Sequence, residues 1–238
     1  MSSTDMDQEA HSKEESGSAP RRALTPGGHT LDQSQPGFPI YHRKFANPAP
    51  LGLMAFATTT FILSLVNAHA RHISVQNIAV GPALGFGGIA QLLAGMWEFA
   101  SGNTFGATAF STYGGFWLAY ATILIPNSGV VDAYESSANP ASLTDGLGFF
   151  LIAFFIQTFL LLIASLRSSG GLIGVFFFLT ITFLLLAISE FTGSANCQKA
   201  GGWFGIVTSF VAWYVALANL LSADTSFFTL PTFEISKH

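Results

Sequence analysis

The chain has 238 residues, 50% of them hydrophobic and 9% charged, with a net charge of −4; an ordinary soluble domain carries roughly 25% charged residues. Its few Lys and Arg cannot build a basic surface, which excludes a nucleic-acid binder. The single cysteine, Cys197, excludes an internal disulfide and a multi-cysteine metal site.

Residues 1–40 read as a disordered cytoplasmic tail, polar and without an apolar run over their first 35 positions. No signal-peptide core precedes the first apolar stretch. Tyr41, His42, Arg43, Lys44 and Phe45 mix aromatic and basic side chains, as an interfacial anchor does. Next comes Asn47-Pro48-Ala49-Pro50-Leu51-Gly52-Leu53. Pro48 and Pro50 fix φ and remove backbone donors, so this stretch opens a helix and cannot lie in the middle of one. Asn47 suits the N-cap.

The first span follows over residues 51–70, with no charge between Lys44 and Arg71 and a polar stripe that includes Thr58, Thr59 and Thr60. A second span covers 78–99; Gly81 and Gly85 share one face and suit close helix packing, and Gln91 is expected to face protein. The third, 105–125, stops at Pro126, before an aqueous loop over 127–145. Spans four to six cover 147–166, 171–189 and 200–222, and a short polar tail occupies 224–238. The fold class is therefore an all-α polytopic membrane protein, with a six-helix domain over 41–223 embedded in the lipid bilayer. Six spans put both termini on one side, and the distribution of Lys and Arg favours the cytoplasm.

The two halves resemble each other. Residues 55–61 parallel residues 153–159. Spans two and five both end in Glu-Phe before a Gly/Ser/Asn turn, at Glu98-Phe99 and Glu190-Phe191, and spans three and six both carry an aromatic cluster. A three-span duplication must be inverted, the arrangement transporters use around a central path. Glu98 and Glu190 then stand at opposite faces as candidates for proton coupling, against the plainer role of capping the turns that follow them.

Neither a nucleotide-binding loop nor a nucleophile elbow occurs, so the chain does not read as an enzyme and implies no cofactor. His69 and His72 read as a solvated pair at a helix end rather than a metal site.

The motif at 47–53, with Gly102-Asn103-Thr104-Phe105-Gly106 and Thr112-Tyr113-Gly114-Gly115-Phe116-Trp117, resembles the acetate uptake transporter family, which includes fungal acetate permeases, some called ammonia exporters, and the bacterial succinate–acetate permease. The resemblance implies a ring-shaped homo-hexamer in the plasma membrane, with one path per protomer for acetate and short monocarboxylates, proton-coupled or channel-like. Conduction of ammonia or ammonium, or a non-transporting membrane scaffold, is the alternative. The resemblance also implies an apolar constriction at Phe56, Tyr113 and Leu179. Substrate would meet Asn47, Pro48, Pro50, Gly52, Thr58, Thr59 and Thr60 on the way, because open backbone N–H groups at a helix N-terminus and hydroxyls attract a carboxylate without trapping it.

Overall fold

The computed structural model describes residues 46–235; the N-terminal tail, the anchor at 41–45 and the last three residues lie outside the described part. Its helices are α1 (Ala49–Asn67), α2 (Gln76–Ser101), α3 (Thr104–Leu124), a short α4 (Val130–Glu135), α5 (Ser142–Ser165), α6 (Gly170–Thr192) and α7 (Ala195–Leu220). All the described residues form one unit.

Local chemistry sets the ends. Pro50 lies in the first turn of α1, where its missing N–H costs nothing. Asn47 is one position outside the N-cap, which is Pro48, yet its Oδ1 still accepts from Ala49 N at 3.0 Å. The helix stops at Asn67, three residues short of the expected end, because His69, Arg71 and His72 all adopt positive φ. At the far end of α2, Gly102 takes φ 83°; at the far end of α6, Gly193 takes φ 65°. Only glycine adopts that left-handed cap without steric cost. Each is followed by a side-chain cap on the next helix: Asn103 Oδ1 accepts from Gly106 N at 3.0 Å, and Ser194 Oγ accepts from Cys197 N at 3.4 Å.

Three expectations change. The loop over 127–145 contains α4, and α5 begins at Ser142, so Asp145 sits in its first turn, where a negative charge suits the helix dipole. The second span is not a uniform α-helix: it opens as a 3₁₀ turn (Gln76–Ala79), and a π-helical segment (Gly85–Ala90) interrupts it. The Gly81 and Gly85 face packs on nothing among the described residues, since a Cβ added at either position would meet no atom within 4 Å. The close approach is made instead by Gly87, against Thr59 and Trp117, by Gly95, against Ser111, and by Gly114, against the backbone of Leu92.

The long helices are neighbours in the order α3, α2, α1, α7, α6, α5, and the ring closes where α3 meets α5. Its distribution of polarity is inside-out. Thr59, Gln91, Thr158, Thr208 and Ser209 are fully buried, while Trp97, Phe149, Leu160, Trp203 and Phe210 stand exposed. Water would reject that surface and lipid accepts it. Five helices are long and apolar enough to cross a membrane: α1, α2, α5, α6 and α7. The protein is therefore a multi-pass, all-α membrane protein. The 21-residue α3 has ten of its residues buried against the others.

Past α7 the chain turns at Ser222–Ser226 and runs back to the bundle. Phe233 O accepts from Gly170 N at 2.8 Å, Ser168 O accepts from Ile235 N at 2.9 Å, and Pro231 O accepts from the Tyr214 hydroxyl at 2.8 Å. The C-terminal segment, expected as a short polar tail, is docked on the bundle through residues 231–235.

Candidate functional site

Two cavities lie inside the ring. One, with an empty volume of about 590 Å³, is lined towards its mouth by Asn67, Gln76, Tyr120, Glu190 and Gln198, where α1, α3 and α6 end and α2 and α7 begin. The other, of about 770 Å³, is lined towards its mouth by Asn47, Asn103, Leu172 and Asn219, where α1, α3 and α6 begin and α7 ends. The two therefore open to opposite ends of the bundle. Phe56, Tyr113 and Leu179 are the residues common to both linings.

These three come from α1, α3 and α6 and are 4%, 3% and 3% exposed. The rings of Phe56 and Tyr113 are 5.5 Å apart at 51°, and Phe176 follows 6.4 Å from Tyr113. The Tyr113 hydroxyl donates to Thr158 Oγ1 at 2.9 Å, and Thr158 Oγ1 donates to Phe154 O at 2.6 Å. This bond ties α3 to α5 and leaves the Tyr113 hydroxyl proton engaged.

The other expected residues divide. Asn47 lines the larger cavity and Thr60 the smaller. Pro48, Pro50, Gly52, Thr58 and Thr59 line neither. Gly52 lets Phe110 of α3 close on α1, and Thr59 donates to Ala55 O at 2.9 Å. Glu190 faces the smaller cavity. Glu98 is buried beside Asn103 at the opposite end of the bundle and lines neither cavity, and one of its oxygens lacks a partner. No cluster of three metal-ligating side chains occurs among the described residues.

Gln76, Trp117 and Tyr120 line the smaller cavity without a role assigned from the sequence, whereas the sequence itself points to Thr60 and Gln91. In the smaller cavity the Tyr120 hydroxyl donates to Gln76 Oε1 at 2.7 Å, and Gln76 Nε2 donates to Asn67 Oδ1 at 2.8 Å, a chain that joins three helix ends. Thr60 Oγ1 and Trp117 Nε1 have no partner there. In the larger cavity neither polar atom of the Gln91 amide has one, although Gln91 is only 1% exposed. Each unpaired buried group costs about 1–3 kcal/mol, and the Thr60 hydroxyl, the Trp117 N–H and the Gln91 amide nitrogen are donors that an acceptor in these cavities would satisfy. The recoverable signal was position: each is polar within a long neutral run. Neither lining contains Lys or Arg. Neutral donors hold an anion weakly enough to let it go.

Fold and site together define a membrane transport protein with two cavities that meet inside one helix ring. The chain belongs to the GPR1/FUN34/yaaH family, whose sequence model matches residues 30–237. It is 47% identical over 207 residues to acetate permease A of Emericella nidulans, covering 83% of this chain and 70% of that one. It is 43% identical over 208 residues to ammonia transport outward protein 2 of Saccharomyces cerevisiae, covering 87% and 72%. Among solved structures, that of the bacterial acetate channel SatP superposes with a TM-score of 0.70 at 37% identity, covering 79% of this chain and 99% of the channel.

Proposed function

We propose that the protein moves acetate and related short monocarboxylates across the membrane, coupled to protons, by way of the two cavities. The observation that carries this reading is that Phe56, Tyr113 and Leu179, from three helices, line both cavities at once. They act as the narrow apolar partition between them. Hydrated ions are excluded there because stripping their water is costly. A two-carbon acid presents a methyl group to the partition, while Thr60, Trp117 and Gln91 offer polar groups to its carboxylate on either side. Asn47 lies on the way in. Glu190 at one end and Glu98 at the other serve proton exchange.

In this reading α3 also spans the bilayer, giving six spans. They form a 3+3 inverted repeat. The glycine turns after Glu98 and Glu190, each followed by a capped helix and set at opposite ends of the bundle, support the inversion. Six protomers assemble into a ring in the plasma membrane, with cytoplasmic termini.

The test is uptake of labelled acetate into liposomes containing the purified protein. Acetate should accumulate against its own gradient when a proton gradient is imposed, and unlabelled short acids should compete. No acetate movement under either gradient would sink the reading; methylammonium flux that excess acetate leaves untouched would favour ammonium conduction. Glu98→Gln and Glu190→Gln should each flatten the pH dependence of uptake. An unchanged profile in both removes these residues from coupling.

A further inference from the structure

We propose that the C-terminal segment is a clamp on the seam between α6 and α7, and that it sets how far the larger cavity can open. The role assigned to that cavity rests on the function proposed above; the clamp itself rests on contacts that do not depend on it.

The seam is tight. A Cβ added at Gly171 of α6 would come within 2.5 Å of Val215 Cγ2 of α7, and one at Gly174 within 3.4 Å of Val211. Val215 lines the larger cavity, as do Leu172 on the α6 side and Asn219 on the α7 side. The seam is thus one wall of that cavity, and it parts only if the two helix ends separate.

The C-terminal segment bridges those two ends from outside. Phe233 O accepts from Gly170 N, the chain neighbour of Gly171. Pro231 O accepts from the Tyr214 hydroxyl, the chain neighbour of Val215. Ser169 and Glu234 form an isolated antiparallel bridge, and Ile235 N donates to Ser168 O at 2.9 Å. Two residues apart on the segment, Pro231 and Phe233 therefore grip one helix each. Phe233 does so at φ 56°, a left-handed conformation unfavourable for a bulky side chain. Strain of that kind persists only where surrounding contacts over-determine it. A grip built from a few neutral hydrogen bonds and one strained residue releases locally long before the bundle unfolds.

Gly170 offers one way to release it. It is the first residue of α6, where proline is well tolerated, and Ser169 before it is at φ −117° and ψ 149°, the extended conformation proline demands of its predecessor. Gly170→Pro deletes the donor to Phe233 O and also sets its ring against the segment, since a Cβ at 170 already lies 3.1 Å from Phe233 Cβ. Tyr214→Phe deletes the other donor and keeps the ring.

Both substitutions are made in the full chain, in a Cys197→Ser background carrying Val215→Cys. Two readouts are taken: hydrogen exchange over residues 224–235, and the rate at which a small thiol reagent modifies Cys introduced at 215. Tyr214→Phe should speed both by roughly fivefold, the scale a single neutral hydrogen bond supports, and Gly170→Pro by at least as much. Exchange that stays unchanged means the segment is not held by these bonds, and overturns the clamp. Faster exchange with unchanged thiol modification means the segment does not govern the seam, and overturns it equally. With wild-type 215, the released variants should also raise lactate uptake relative to acetate. A parent protein that moves no acetate defeats the transport reading alone, because exchange and thiol modification still decide the clamp.

Discussion

Leu179 touches both cavities and brings to the partition neither a polar group nor a ring. Truncating it should widen the partition while leaving its aromatic members in place. Leu179→Ala is expected to raise the lactate-to-acetate uptake ratio several-fold per folded molecule, at a stability cost of about 2–5 kcal/mol typical of a buried leucine. An unchanged ratio would remove Leu179 from selection. Tyr113→Phe should behave differently. Its hydroxyl proton is already given to Thr158, so the substitution loosens the α3–α5 link and leaves the size cutoff alone. The expected result is a fall of about 1 kcal/mol in stability with the same lactate-to-acetate ratio. A changed ratio would mean that the hydroxyl itself meets the acid.

Between elements, adjacent glycines in α3 make opposite demands. A Cβ at Gly114 would lie 2.9 Å from the Leu92 backbone, whereas one at Gly115 would meet nothing within 4 Å. Gly115→Ala should therefore raise the melting temperature in detergent, through a helix-propensity gain of up to about 1 kcal/mol. Gly114→Ala should lower it by forcing α2 and α3 apart; equal effects from the two would contradict the packing. That difference was not readable beforehand. The long neutral runs announced the helices, and the motifs around Phe56 and Tyr113 drew attention to two of the residues that both cavities share. A pattern of small residues, however, does not say which glycine meets a neighbour, and the Gly81 and Gly85 pair was chosen on spacing alone. Gln76, Trp117, Tyr120 and Asn219 were missed for a related reason. They matter through partners or a cavity wall supplied by distant helices, as when Tyr120 reaches Gln76 across 44 positions. The docked C-terminal segment was illegible because backbone atoms make most of its bonds.

For the whole molecule, the exposed apolar belt and the Gly81 and Gly85 face, which meets none of the described residues, leave surface for lipid and, in the proposed ring, for neighbouring copies. Mass measurement in mild detergent should give six protomers; an active monomer would reject the ring. The π-helical segment of α2 bears on the reading frame of that helix. A π turn accommodates one residue more than the α-helix it interrupts, and each residue of a regular helix advances the chain by about 100°. Deleting exposed Ile89 should therefore convert Gly85–Ala90 to ordinary α-helix and leave Gln91, Gly95 and Glu98 still facing inward. Deleting Leu93, four positions on, can use the same slack only by turning Gln91 and Leu92 by about 100°. It should carry buried Gln91 away from the larger cavity and lower the yield of folded protein, which size-exclusion profiles of the two variants would distinguish. The second helix thus carries one residue of slack, placed where its length can change without turning its two ends relative to each other.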